Sequence, residues 1–250
     1  MESFKATLTN EVFKLYKKKK AIVIIILAVG IIVAVQILNM ALRGGLGIMG
    51  SSAAGFPFTV LSLFSSTVLP LFTALAVIDV FTGELSHDTL KIVVTKPVTR
   101  FRIYLAKLTA VAVFILISLL IVMVLSVITT LMFQSPALTV SWFAKVMAAY
   151  LVTLIPMLTL AIIIAFPANV FKSSSGVFFL SMILFLLLRA IGIVFTVISG
   201  ILFTSLLDWY KLWIVSAVPL GMIIRQTVVL LAYILIFLAL GFRRFDRKDL

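Results

Sequence analysis

FTGELSHDTLKIVVTKPVTRFRIYLAKL, residues 81–108, is the longest polar interruption in a chain that is otherwise almost continuously apolar. Hydrophobic residues make up 64% of the 250 residues and charged residues 12%, against roughly 45–50% and about 25% in an ordinary soluble domain. A chain of this composition belongs in a lipid bilayer. No polar stretch is long enough to build its own core, so the sequence predicts one membrane domain over residues 1–250.

Apolar stretches long enough to cross a bilayer lie on both sides of this connector. A transmembrane helix needs about 20 predominantly apolar residues, and the stretches of that kind are 21–42, 58–81, 105–133, 146–171, 177–203 and 226–242. The sequence therefore predicts an all-α polytopic membrane protein with a bundle of six transmembrane helices over residues 21–242. The stretch from Leu212 to Ile224 is too short to cross and contains Pro219 and Gly221, so we expect a re-entrant segment before the sixth span.

Basic residues set the expected orientation. The chain has 21 Lys and Arg against 8 Asp and Glu, and most of the basic residues fall in residues 1–20, in the connector and in the tail 243–250. The positive-inside rule then predicts that both termini are cytoplasmic, in a multi-pass protein of the cell membrane, with a bacterial plasma membrane as the expected location. In a soluble protein this charge excess would suggest nucleic acid, whereas here it favours anionic lipid and no nucleic-acid partner.

Residues 1–20 carry a helical pattern before the first span. Phe4, Leu8, Val12 and Leu15 recur at helical spacing, and the polar residues on other faces are Lys5, Asn10, Lys14, Lys17 and Lys18. This pattern predicts an amphipathic interfacial helix on the inner leaflet. The alternative is a basic tail that only sets the orientation.

The residue inventory excludes several chemistries. The chain has no Cys and one His, His87, so we expect no thiol chemistry and no metal site. Gly45, Gly47 and Gly50 match a dinucleotide-binding pattern, but they follow a membrane span rather than a strand. No phosphate-binding P-loop motif occurs in the sequence. We therefore expect no enzyme active site and no cofactor bound by this chain.

Arg189 is a basic residue near the centre of a predicted span, 177–203. A charge at that depth costs about 2.5–3.5 kcal/mol, so some interaction should offset it. One interpretation places Arg189 at a substrate path or a subunit interface. The other gives it a structural partner, either helix carbonyls or an acid such as Asp79.

The connector itself has a helical pattern. Glu84, His87, Asp88 and Lys91 recur at spacings of three or four, which predicts a short helix from about Phe81 to Val93. Pro97 then stops or turns the chain, and Arg100, Arg102 and Lys107 mark the inner boundary of the third span. Such a helix would suit contact with another protein; the alternative is that it only joins two spans.

This stretch resembles the cytoplasmic connector of ABC transporter permeases of the type-2 exporter class. Their loose pattern is Glu, then Gly-Thr, then Pro followed by Arg, then Lys at the next span. In this chain the corresponding residues are Glu84, Asp88-Thr89, Pro97, Arg100 and Lys107. Asp88 departs from the usual Gly. The amphipathic first helix, the six spans and the re-entrant segment before the last span are also similar to that family.

The resemblance implies an ATP-driven exporter in which this chain is the permease and a separate ATP-binding cassette subunit binds ATP and Mg. The residues that it assigns to coupling with that subunit are Glu84, His87, Asp88, Thr89, Lys91, Pro97 and Arg100. It also implies a second permease subunit, as a homo- or heterodimer, and amphiphilic substrates such as drugs, antimicrobial peptides or lipid-like compounds. The alternatives are an ATP-independent secondary carrier or channel, and an intramembrane enzyme for which no catalytic set of residues can be assembled.

Overall fold

A computed structural model of the chain describes residues 2–17, 20–45, 53–86, 99–133, 139–215 and 219–247. These residues form helices and turns and contain no strand, so the predicted all-α class is confirmed. The long helices are α1 (Glu2–Lys17), α2 (Lys20–Gly45), α3 (Phe56–Leu63), α4 (Leu69–Ser86), α5 (Arg100–Phe133), α6 (Val140–Val170), α7 (Ser174–Val194) and α8 (Leu220–Asp246).

The described helices have the length and hydropathy of a multi-pass membrane protein. Five of them are long and apolar enough to cross a bilayer: Phe56–Gly83, Arg100–Phe133, Val140–Val170, Ser174–Val194 and Leu220–Asp246. Helix α2 contributes a shorter apolar helix, Ile25–Ala41. The bundle is centred on α4, α5 and α6, which contact one another, whereas α2 packs on α5 and α8 packs mainly on α6. The outward faces of α2, α7 and α8 expose Leu, Ile and Phe side chains, as expected for lipid-facing helices.

The predicted fifth span is too long in its C-terminal part. Helix α7 ends at Val194, and the apolar residues that follow form short helical turns at Thr196–Ser199, Ser205–Asp208 and Lys211–Ile214. These turns return into the bundle, because the Phe203 ring lies 5.8 Å from the Tyr233 ring, in the middle of α8. Hydropathy does not distinguish a lipid-facing span from a segment that returns into the bundle, since both are apolar.

The predicted re-entrant stretch from Leu212 to Ile224 is divided between two elements. Helix α8 begins at Leu220 with Pro219 as its N-cap residue, so Leu220–Ile224 belong to the last long helix. Proline suits this position because it has no N–H to leave unpaired at a helix start. The segment that returns into the bundle is therefore 195–215, upstream of the predicted one.

The second span contains an irregular turn. A π-helical segment, Phe64–Val68, joins α3 to α4, and Pro70 follows it immediately. The hydroxyl groups of Ser66 and Thr67 both donate to the carbonyl oxygen of Leu63, at 3.1 and 2.7 Å, which helps to satisfy the disturbed backbone. Pro156 lies inside α6. π segments and prolines are the usual sites of helix kinks.

A buried tyrosine links three helices at the end of the bundle opposite the connector. Tyr150 of α6 is fully buried, and its hydroxyl donates to the Pro57 carbonyl of α3 at 3.0 Å. The same hydroxyl lies 3.1 Å from Ser126 Oγ of α5. Tyr104 of α5 is equally buried, but its hydroxyl has no hydrogen-bond partner within the described ranges.

We expect Tyr150→Phe to lower the free energy of unfolding by about 1 kcal/mol, because hydrogen bonds between membrane helices contribute on that scale. Tyr104→Phe is the matched control and should leave stability unchanged or slightly raised, since it removes a hydroxyl with no partner. Thermal unfolding of the two purified variants in one detergent checks the difference. Equal unfolding temperatures for both variants would contradict the assigned role of Tyr150.

Candidate functional site

The connector end is the end of the bundle at which α4 finishes at Ser86 and α5 starts at Arg100. The C-terminal ends of α6 and α8 lie at this end, and α1 packs across α5 there. Any partner that contacts the connector would act on this group of helices. Their contacts therefore decide how a displacement of the connector would reach the spans.

Lys107 is the centre of the connector end. Its side chain is 1% exposed, although it is a cation on a membrane helix. Its Nζ donates to the Val80 carbonyl of α4 at 2.8 Å and to Glu11 Oε2 of α1 at 3.4 Å. The Phe81 ring centroid lies 5.8 Å from the same Nζ, within the range of a cation–π contact. One ammonium group thus joins α1, α4 and α5.

Glu11 completes this ion pair from α1. The carboxylate is 3% exposed, and its other oxygen accepts from Lys14 Nζ at 2.9 Å. Leu15 on the same face is also buried, so the apolar stripe of α1 packs on protein. Tyr16 contributes its ring, 6.2 Å from the Phe114 ring of α5, and burial raises its pKa to about 12, so the phenol stays neutral at physiological pH.

The energetics of this pair are those of buried charges. Removing an ion from water costs several kcal/mol, and only a well-placed partner with further hydrogen bonds offsets that cost. Lys107 has both a carboxylate and a carbonyl. Separating α1 from α5 would leave a charge unpaired in an apolar environment, so the three helices are held together more firmly than apolar packing alone would hold them.

Two further contacts fix the same region. Thr82 Oγ1 of α4 donates to the Ala168 carbonyl of α6 at 3.1 Å. The Tyr104 ring packs among the rings of Phe81, Phe242 and Phe245, at centroid distances of 5.6, 6.0 and 5.6 Å. Its hydroxyl lies so close to Gly241 that any side chain there would overlap it. Helix α8 can approach α5 only because residue 241 is glycine.

The predicted coupling residues are only partly within the described residues. Glu84 lies in the last turn of α4, whereas His87, Asp88, Thr89, Lys91 and Pro97 fall outside the described ranges. Arg100 opens α5, and its guanidinium donates to the main-chain oxygen of Asp246 at the end of α8. It thus holds two helices together and is half-buried. The prediction that a separate helix begins at Phe81 is wrong, because Phe81–Ser86 continue α4 without a break.

Glu11 is the main site residue that sequence reasoning missed. It lies between Leu8 and Leu15 on the apolar stripe of α1, and an acid in that position signals a buried basic partner rather than lipid contact. The sequence and the family pattern predict Lys107 only as the residue at the start of the third span. Pairing the two from sequence alone would require knowing that α1 crosses α5.

Arg189 does not lie at the centre of a span. Because α7 ends at Val194, Arg189 falls in its last two turns, at the end away from the connector. The side chain is half-buried. A cation near the C-terminal end of a helix interacts favourably with the helix dipole, and the cost of the charge is lower there than at the centre.

The chain matches a protein-family model. The model described as "ABC-2 family transporter protein" matches residues 7–175, which include Glu11, Lys107, α1 from residue 7 onward, and all of α4 and α5. The chain belongs to the ABC-2 transporter family. In this ABC-2 protein α7 and α8 lie almost wholly beyond the matched residues. No curated protein matched the chain.

We expect Lys107→Met to lower the free energy of unfolding by about 2–4 kcal/mol, because Glu11 would lose its buried partner and, among the described residues, keep an ion pair only with the exposed Lys14. Lys14→Met is the control: its side chain is 45% exposed, and an exposed pair contributes about 0–1 kcal/mol. Thermal or denaturant unfolding in detergent measures both. A Lys14→Met effect as large as that of Lys107→Met would refute the central role of Lys107.

Proposed function

We propose that this chain is the membrane-spanning permease subunit of an ATP-driven exporter, and that a separate ATP-binding subunit docks on its connector. The observation that carries the proposal is the continuity of α4, which runs unbroken from the bundle to Ser86 at the base of the connector. A protein that displaces the connector would therefore displace a membrane helix directly. Membership of the ABC-2 family supports the same assignment.

The contacts at the connector end would transmit a displacement of the connector to the neighbouring helices. The Lys107 ion pair and the Thr82 hydrogen bond fasten the last turns of α4 to α1, α5 and α6. A push on α4 would therefore move these helices as one unit. Nucleotide binding in the partner would bias an equilibrium between two arrangements of the spans, inward-facing and outward-facing.

The part of the second span that lies away from the connector would act as a hinge. The π segment Phe64–Val68 and Pro70 interrupt regular hydrogen bonding between α3 and α4. Motion of α4 could be absorbed at this point while α3 stays attached to α6 through the Tyr150 hydrogen bond. A hinge in this position separates the connector end from the opposite end of the bundle.

The remaining parts of the transporter follow from this assignment. Helix α2 would be the first of six spans, both termini would be cytoplasmic in the cell membrane, and a second permease, identical or different, would complete the pathway. ATP and Mg would be bound by the partner subunit. The substrate would be an amphiphilic compound, such as a drug, an antimicrobial peptide or a lipid-like molecule, and export would confer resistance to it.

The second candidate is an ATP-independent carrier or channel. Such proteins depend on ionisable groups or broken helices within the membrane, and the segment 195–215, which returns into the bundle, is a feature of that kind. Under this alternative the connector would only join two spans, and no nucleotide-binding protein would accompany the chain.

Purification of the tagged protein from its native membranes should recover a stoichiometric ATP-binding subunit with ATPase activity. Glu84→Ala should lower the yield of that subunit several-fold, because Glu84 lies in the last turn of α4, at the connector. Asp208→Ala is the control, since Asp208 pairs with Lys211 at the opposite end of the bundle, and it should leave the yield unchanged. A single-component preparation without nucleotide hydrolysis would overturn the exporter proposal in favour of the carrier.

We propose that Arg189 lies at the substrate path or the subunit interface. Arg189→Leu should then insert and fold as well as the wild type but change the substrate-dependent ATPase rate of the purified complex, while Arg189→Lys should retain it. No hydrogen bond or ion pair to Arg189 is present within the described ranges. Loss of folded protein in Arg189→Leu, with recovery in Arg189→Lys, would instead assign a structural role.

A further inference from the structure

A cavity of about 480 Å³ lies between α6, α7 and α8, and its lining extends to the C-terminal end of α6, near the connector end. Sites for small molecules typically measure roughly 300–1,000 Å³, so the cavity has the size of a ligand site. Aliphatic and aromatic side chains form most of its walls, and Phe203 of the returning segment is one of them. Of the described residues that line it, only Ser181 and Tyr233 carry polar side-chain groups.

Ser181 is the unusual residue of this lining. It is 5% exposed, and its Oγ has no hydrogen-bond partner within the described part of the chain. A serine or threonine on a membrane helix ordinarily bonds back to a carbonyl one turn earlier. Ser118 of α5 and Thr153 of α6 do so, at 2.8 and 2.7 Å. Leaving a buried hydroxyl unpaired is unfavourable, and a ligand in the cavity would supply a partner for it.

The cavity borders the outward face of α7. Leu180 and Leu184 line it and are also 45% and 46% exposed, on the outward face of α7. That face meets the hydrocarbon of the bilayer. A ligand would therefore enter from the membrane, and a charged headgroup would stay outside the apolar walls.

We infer that the cavity binds the apolar chain of an amphiphile that carries a hydroxyl or carbonyl group, with Ser181 as the hydrogen-bonding residue. The serine hydroxyl donates to a carbonyl oxygen or accepts from a hydroxyl, so either group satisfies it. That the ligand is cargo rests on the proposed exporter function. Binding itself is measured without the ATP-binding subunit, so its failure is distinguishable from a failure to co-purify that subunit.

The test uses hexadecanol with a photoactivatable diazirine in its chain, added to the purified full-length protein in detergent. Irradiation followed by peptide mass spectrometry should give saturable labelling of 160–171 and 180–188. Leu184→Trp should lower this labelling at least fivefold by filling the cavity mouth. Leu186→Trp is the control, because Leu186 is 62% exposed and does not line the cavity. Labelling that does not saturate, or that Leu184→Trp leaves unchanged, would overturn the inference.

A second pair of variants tests the hydrogen bond. Ser181→Ala should weaken labelling by the alcohol up to roughly tenfold, the loss expected for one hydrogen bond, and should leave labelling by the corresponding diazirine hydrocarbon unchanged. Ser175→Ala, an exposed serine on the same helix, should affect neither probe. Equal effects of Ser181→Ala on both probes would remove Ser181 from the site.

Competition experiments show whether the ligand is a membrane lipid or a single-chain amphiphile. Diacyl phosphatidylcholine added at stoichiometric amounts will displace the probe if a membrane lipid occupies the cavity. Displacement only by single-chain alcohols or acids identifies a single-chain amphiphile as the ligand. Either result supports the inferred chemistry, whereas the absence of competition by both classes would contradict it.

Discussion

The fold of the connector end depends on one constraint, the burial of the Lys107 ammonium group among membrane helices. A cation in that position must be paired, and the pairing brings together Glu11 of α1 and the Val80 carbonyl of α4. The helix that precedes the first span is thereby tied to the second and third spans. The connector leaves the bundle beside this point, so whatever moves it acts on a group of helices already joined by charge.

Hydropathy was sufficient for much of the fold. The apolar stretches around 58–81, 105–133 and 146–171 each lie in one candidate membrane span, and the first residues form the predicted α1. The errors occur where an apolar sequence is buried by protein instead of lipid. Residues after Val194 are as hydrophobic as a span, but Phe203 packs on Tyr233 inside the bundle, and only tertiary structure separates these cases.

The candidate site was less predictable than the fold. The family pattern identified Lys107 and Arg100, but both have contacts that the pattern does not encode: Lys107 pairs with Glu11, and Arg100 holds the end of α8. Glu11 was in principle visible as an acid within an apolar stripe. Ser181 was not, because its significance comes from an absent hydrogen bond and a cavity that three helices form together.

The most direct test of this account is a distance measurement between α1 and α5. The chain contains no cysteine, so Phe13→Cys and Arg102→Cys, both at exposed positions, can carry spin labels without other changes. Double electron–electron resonance should give one narrow distance distribution in this background and a broad one after Lys107→Met. A distribution that Lys107→Met leaves unchanged would contradict the claim that the buried ion pair holds the connector end together.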